Sequence, residues 1–255
     1  MDGVSQPDSK SLDPKKFQDP NVTAAGETRA RVSLNGLKTL WINTGTLCNL
    51  TCVNCYIESS PRNDRLSYIT IDEMRSYLDE IRDQGLETEE IAFTGGEPFM
   101  NPDMMQMLEV TLARGFRALV LTNAMKPMRH HESPLKKLKY WFNEKLEIRV
   151  SVDHYTQQLH EKERGPGSWQ PMLDGLIWLS QNKFNFDIGG RTPWGEDEAS
   201  MRKGYAKLFA EHKISVDAND PAKLLLFPEM DANQDVPEIT DQCWSILNVD
   251  PGAMM

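Results

Sequence analysis

The chain has 255 residues, 39% of them apolar, which is enough to pack one large domain or two small ones. Its net charge of −10 argues against broad nucleic-acid binding, which depends on basic surface to displace counterions. No apolar run approaches the roughly 20 residues of a membrane span, and the opening Met1-Asp2-Gly3-Val4-Ser5-Gln6 lacks the basic-then-apolar order of a secretion signal.

Residues 1–30 are polar, with Pro7, Pro14 and Pro20 and few large apolar groups, and are predicted to form a flexible N-terminal tail. The first strand is expected over Lys38 to Thr46. It delivers Cys48-Asn49-Leu50-Thr51-Cys52-Val53-Asn54-Cys55-Tyr56, in which three of the four cysteines stand as C-x3-C-x2-C with an aromatic residue directly after. Thiolates so close on one loop can all address a single iron–sulfur cluster. Three protein ligands on a cubane of four irons leave one iron open, the mark of a reactive rather than a closed site. A zinc site would need a fourth ligand borrowed from His130, His131, His154, His160 or Cys243. Four cysteines are too few for a disulfide framework, so the thiols are read as reduced and the protein as cytoplasmic.

Further along, Thr70-Ile71-Asp72-Glu73 reads as a capping box, Met74, Tyr77, Leu78 and Ile81 as a helical stripe, and Gly85 as the stop. The next strand, Glu90 to Thr94, runs into Gly95-Gly96-Glu97-Pro98. Asn101-Pro102 is expected to open a helix that Gly115 ends. Then come strand Ala118 to Thr122, helix Ser133 to about Asn143, strand Leu146 to Val152, helix Gln170 to Asn182, strand Phe184 to Ile188, helix Glu198 to His212 and strand Lys223 to Phe227. The lysines and arginine at 126, 129, 136, 137 and 139 read as a solvated helix face. Six strands alternating with helices imply a parallel α/β sheet with right-handed crossovers, either open or closed into a barrel. In both architectures ligands lie beyond the C-terminal strand ends, where the two motifs fall.

The C-x3-C-x2-C spacing with Tyr56, followed by GGEP after a strand, resembles the radical S-adenosylmethionine (SAM) superfamily, in the group of molybdenum-cofactor synthases and peptide maturases. The resemblance covers roughly residues 38 to 228. It implies a partial (β/α)6 TIM-like barrel, with a core domain over 31–228. It also implies a [4Fe–4S] cluster on Cys48, Cys52 and Cys55, and SAM cleaved reductively to a 5′-deoxyadenosyl radical that abstracts hydrogen from a peptide or small-molecule substrate. A reducing partner such as flavodoxin or ferredoxin is implied with it. By the same resemblance Tyr56 lies where relatives contact adenine, and Gly95, Gly96, Glu97 and Pro98 match the segment that receives the methionine amino group. The other reading of Gly-Gly is a tight turn. Asn123 sits where relatives often have Thr-Asn-Gly, with Ala124 replacing the glycine. Ser151-Val152-Asp153 resembles a Ser-x-Asp whose hydroxyl meets the ribose, the alternative being that Asp153 caps the next turn. Arg191 is expected either to pair with the SAM carboxylate or to be a surface cation. His154, Tyr155 and Trp194 face substrate or pack the rim.

The competing function is a non-catalytic iron–sulfur protein that transfers electrons or senses redox state, which would need the cysteines but not GGEP. Residues 229–255 form an acidic segment, with five carboxylates and no Lys or Arg between Glu229 and Gln242. Cys243 is expected either to be the first ligand of an auxiliary metal site in a longer chain or to be a buried thiol. The first of these makes the chain a fragment that cleaves SAM slowly without turning over its natural substrate.

Overall fold

The computed structural model describes residues 13–33, 36–193, 195–229 and 235–248. The chain divides into two units, Leu37–Glu229 and a second formed by Met1–Gly36 with Met230–Met255.

The larger unit is built on a six-stranded parallel sheet: β1 (Thr39–Asn43), β2 (Glu90–Thr94), β3 (Arg117–Thr122), β4 (Leu146–Ser151), β5 (Phe186–Thr192) and β6 (Leu224–Pro228). The strands lie side by side in chain order, and the described residues do not pair β6 back to β1, so the barrel is partial. Register places Ile42 beside Phe93, Phe93 beside Val120, Val120 beside Ile148 and Ile148 beside Phe186. This row is buried in the main core with Met74, Leu78, Met104, Leu108, Leu135 and Leu176 from the helices. Because side chains alternate along a strand, the opposite face carries Trp41, Ala92, Leu119, Arg149, Asp187 and Gly189. On it Arg149 Nε donates to Asp187 Oδ1 at 2.6 Å.

Helices fill the crossovers: α1 (Ile71–Asp83), α2 (Met104–Ala113), α3 (Lys126–Arg129), α4 (Glu132–Phe142), α5 (Gln157–Arg164), α6 (Trp169–Gln181) and α7 (Glu198–His212). α1 begins at the capping box as expected: Glu73 N donates to Thr70 Oγ1 at 3.2 Å and Thr70 N to Glu73 Oε2 at 2.8 Å. α2 starts later than Asn101-Pro102 suggests. The Asn101 side chain accepts from Asp103 N at 2.8 Å and also donates to Thr44 O and Ile69 O. Pro98–Met100 forms a 3-10 turn before it, and the regular helix begins at Met104. β5 runs later than predicted, over both Gly189 and Gly190. A Cβ at Gly190 would stand 2.6 Å from the Tyr205 hydroxyl, so this strand accepts a residue type that strands otherwise disfavour. Helix α5 has no counterpart in the sequence prediction, because its QQLHEKER run lacks an apolar stripe.

In the smaller unit, Glu238 organises the described residues. Its carboxylate accepts from Phe17 N at 2.9 Å and Ala24 N at 2.6 Å and pairs with Arg29. A bridge joins Arg29 to Thr240. The predicted tail over 1–30 therefore falls partly outside the described residues (1–12) and partly on this bonded arrangement. A short helix α8 (Asp241–Leu247) follows Thr240, and Thr240 N donates to the half-buried Cys243 Sγ at 3.4 Å. The chain's last residues, Asp250 to Met255, lie outside the described residues.

Candidate functional site

The site grows from the C-terminal ends of β1 to β6. Beyond β1 the chain makes an excursion without helix or strand, from Thr44 to Thr70. Its neck is closed by Thr46 N on Leu66 O at 3.1 Å and Cys48 N on Ser60 O at 3.1 Å. Against this neck lies GGEP. Gly96 N donates to Gly45 O at 2.7 Å and Glu97 N to Leu47 O at 3.1 Å. A Cβ at Gly96 would stand 2.1 Å from Leu47 O. At Gly95, where φ is +142°, it would stand 2.7 Å from Gly45 O. The two glycines are thus required by the approach of the chain's own backbone just ahead of the cysteines.

Glu97 ties this seam to β3. Its buried carboxylate accepts from Thr122 Oγ1 at 2.8 Å, Asn123 N at 2.9 Å and Phe99 N at 3.2 Å. Burial outweighs these three bonds and pushes the carboxyl up to about 7. Pro98 is buried in the 3-10 turn that follows. Asn123 reaches the cysteine loop, its Nδ2 donating to Asn49 Oδ1 at 2.9 Å and lying 4.0 Å from Cys48 Sγ. Ala124 holds a left-handed φ of +57° and is wholly buried.

Behind the cysteines stands a charged cluster that the sequence reading only half found. Asp153 was singled out; its principal partner was not. Arg164, at the end of α5, forks onto it through Nε–Oδ2 at 2.7 Å and Nη2–Oδ1 at 3.2 Å. Burial alone would raise the Asp153 carboxyl, but Arg164 and Arg191 outweigh burial and hold it below the usual carboxylate range. Asp153 therefore does not cap a turn. Burial likewise opposes the Arg164 charge, and the Asp153 carboxylate keeps that guanidinium charged above its ordinary range. Arg191 is no free surface cation: it lies 3.3 Å from Asp153 Oδ1 and 3.3 Å from Glu229 Oε1, and donates to Asn54 O at 3.3 Å.

The remaining expected residues stand around this centre. Tyr56 is exposed, with its hydroxyl 3.4 Å from Thr94 Oγ1. Ser151 ends β4, half-buried beside Gly189. His154 is buried, held by Thr156 Oγ1 at 2.8 Å and Glu196 Oε2 at 3.1 Å, and Tyr155 donates to the other oxygen of Glu196 at 2.7 Å. Tyr155 packs against α7, where a Cβ at Gly204 would meet its ring at 2.5 Å, and His154 stacks on the Tyr155 ring. Trp194 lies outside the described residues. Arg164, Glu163 and Glu229 were missed. The signal for the first two was the punctuation around α5, Thr156 before it and Gly165 after it, rather than hydrophobic period.

All four thiols are free. Burial pushes the Cys48 thiol up to about 12 and raises Cys52, with Arg164 acting in the opposite direction on both. Among the described residues no group of three His, Cys, Asp or Glu side chains converges at metal-binding separation. The donor set fits an iron–sulfur cluster in its chemistry. Three free thiols share one loop, Cys48 Sγ accepts from Leu50 N at 3.4 Å, and Cys55 Sγ accepts from Ser59 N at 3.2 Å. Amide donors of this kind tune thiolate ligands. Of the histidines, His154 is bonded to Thr156 and Glu196, and His160 packs edge-on against Trp169 at 5.4 Å with neither buried ring nitrogen hydrogen-bonded. Among the described residues no helix is long and apolar enough to cross a membrane.

Comparison with known proteins agrees with this arrangement. The profile of the Radical SAM superfamily matches residues 42–192, more than half of the chain. The antilisterial bacteriocin subtilosin biosynthesis protein AlbA of Bacillus subtilis is 32% identical over 136 residues, covering 53% of this chain and 29% of that protein. An AdoMet-dependent heme synthase of Methanosarcina barkeri is 28% identical over 144 residues, covering 55% of this chain and 38% of that protein. These matches span well under two thirds of either relative. Among solved structures, Streptococcus suis SuiB bound to S-adenosylmethionine superposes with a TM-score of 0.58 at 16% identity, covering 83% of this chain and 46% of that one. SuiB has also been solved bound to its precursor peptide SuiA. At that identity the likeness shows the fold, the partial barrel expected from the motifs.

Proposed function

The chain belongs to the radical SAM superfamily, and we propose that it carries the catalytic core of a peptide-modifying enzyme, with Cys48, Cys52 and Cys55 as the ligands of its cluster. Members of the superfamily are enzymes whose cofactors are a [4Fe–4S] cluster and SAM. When bound, these supply reductive cleavage of SAM and the 5′-deoxyadenosyl radical that takes hydrogen from substrate. The observation that carries the reading is the seam in which Gly95, Gly96 and Glu97 are built onto Gly45 to Leu47, immediately ahead of the three cysteines. A protein that only carried electrons would need the cysteines and not this seam.

The chain's own residues have separable tasks. Glu97 fixes the ends of β2 and β3 to one another, and the backbone around Gly95 and Gly96 would seat the methionine end of SAM. Of the two arginines that share Asp153, Arg191, which also meets Glu229, is the one that would pair with its carboxylate. Tyr56 in the cysteine loop and Asn123, Ser151 and Asp153 at the ends of β3 and β4 would hold the adenosine half. Around the buried cluster of charges, the protein's part is to orient the cofactors and exclude water.

A peptide substrate agrees with two of the similar proteins: AlbA acts in bacteriocin biosynthesis, and SuiB has been solved with a precursor peptide. The heme synthase of Methanosarcina barkeri represents the small-molecule alternative. The charge of −10 stands against an RNA substrate. A small acidic electron carrier such as flavodoxin or ferredoxin would serve as reductant. The test is anaerobic reconstitution with iron and sulfide of the parent chain and of the triple variant Cys48→Ala, Cys52→Ala, Cys55→Ala. The parent chain should gain visible absorption and bind SAM, and the variant neither; a triple variant that reconstitutes fully overturns the ligand assignment.

A further inference from the structure

Only two residues, Val53 and Asn54, separate the second and third cysteines. Apolar burial does not hold this spacer, because Val53 is 72% exposed and Tyr56 just beyond it is 68% exposed. Polar contacts hold it instead, and they converge from three elements. Val53 N donates to the α5 carbonyl Glu163 O at 2.8 Å. The Asn54 carboxamide donates to Glu163 Oε2 at 3.0 Å and to Glu229 Oε1, just past β6, at 3.1 Å. Asn54 O accepts from Arg191 Nη2, at the end of β5, at 3.3 Å, and Arg191 returns to Glu229 at 3.3 Å.

A primary amide is well suited to this position. It has two N–H donors and no charge, so it can serve two carboxylates at once without adding to either sign. Glu163 needs that service: burial first, and then the neighbouring Glu229, raise its carboxyl. An aspartate at position 54 would set a third carboxylate against two. A leucine of the same shape would leave both acceptors facing hydrocarbon.

We propose that Asn54 is a positioning residue for the cluster. It locks the spacer between Cys52 and Cys55 onto α5 and the exits of β5 and β6, which sets the spacing of the two thiolates without touching a reacting atom. The inference rests on the reading that these cysteines are the cluster ligands. Hydrogen bonds to charged groups carry about a factor of ten or more each, and the clamp contains two from one side chain. Its loss should therefore act on cluster retention, while the core of the larger unit, which the spacer does not enter, stays folded.

The experiment uses the full chain and four variants: Asn54→Leu, Asn54→Asp, Glu163→Gln, and Asn54→Asp combined with Glu163→Gln. Each is reconstituted anaerobically and challenged with an iron chelator while visible absorption is followed. The melting temperature of each reduced, metal-free chain is measured alongside. Asn54→Leu should lose its absorption at least roughly tenfold faster than the parent, and Asn54→Asp faster still. The double variant should recover part of the loss, because the new amide can donate to the new carboxylate. Metal-free melting temperatures should stay within about 4 °C of the parent. Variants that keep the cluster at the parent's rate overturn the inference, as do variants whose metal-free melting falls in step with cluster loss. A parent chain that takes up no cluster defeats the ligand reading as well, which separates the two failures.

Discussion

Replacing Gly96 by alanine should damage this protein far more than one methyl group suggests. The added Cβ would lie 2.1 Å from Leu47 O and 2.6 Å from Leu47 C, both main-chain atoms that no side-chain rotation can move. Relief requires parting the GGEP segment from the neck of the cysteine loop, which stretches the bonds of Gly96 N to Gly45 O and Glu97 N to Leu47 O. Overpacking costs about 1–3 kcal/mol and each weakened hydrogen bond about 1 kcal/mol, so the total is about 3–5 kcal/mol. Against the 5–15 kcal/mol typical of a domain, that is a large share. Gly85 is the control: φ is +63° and a Cβ there meets nothing within 4 Å, so Gly85→Ala carries only the left-handed backbone penalty of about 1–2 kcal/mol. Urea unfolding of the reduced, metal-free chain reads both as shifts in midpoint at constant slope. A Gly96→Ala variant no less stable than Gly85→Ala would refute the seam as the reason for the glycines.

The remaining predictions follow from buried charge and from Cys243. Glu97 has its folded carboxyl raised from 4.5 to about 7, so the stability it contributes is complete below about pH 4.5 and is lost as pH rises through 7, by about 3 kcal/mol. Glu97→Gln removes that dependence, and urea midpoints at pH 5 and pH 8 should show the parent losing ground to the variant at the higher pH; a pH-independent gap would contradict the buried carboxyl. Arg164→Met leaves Asp153 with Arg191 alone and should lower stability by about 3 kcal/mol. Adding Asp153→Asn should recover part of it, and strictly additive losses would show that the two side chains are not coupled. Cys243→Ser should leave the iron content of the reconstituted chain unchanged, because that thiol faces Thr240 at the start of α8; iron lost with it would assign Cys243 to a metal site.

The parts of the fold legible in the sequence are those where local signals agree with the tertiary outcome. β2 falls on Glu90–Thr94 and α7 on Glu198–His212 as read, because strand composition in one and caps with apolar spacing in the other both survive packing. β5 was misplaced because Gly190, within the strand, makes room for the Tyr205 hydroxyl, which a sequence reading cannot see. α2 starts at Met104 rather than Pro102, although the Asn101 side chain accepts from Asp103 N as well as donating to Thr44 O and Ile69 O. At the site, the cysteines and GGEP stood out because each motif is contiguous. The clamp behind them is not contiguous: Asn54 and Glu229 are 175 residues apart, and Arg164 comes from a polar helix without an apolar stripe. The glycines of GGEP were expected to make room for the methionine group, and the structure adds a nearer reason, the main chain of Gly45 and Leu47.

The measurement that bears most directly on the central claim is formation of 5′-deoxyadenosine. The anaerobically reconstituted chain is incubated with SAM and a strong reductant, and the products are separated and quantified. A radical SAM core built on Cys48, Cys52, Cys55 and the GGEP seam predicts 5′-deoxyadenosine and methionine in equal amounts, dependent on reductant and absent from the triple cysteine variant. A chain that reconstitutes its cluster and is reduced, yet leaves SAM intact, would contradict the account and leave a protein that only carries electrons.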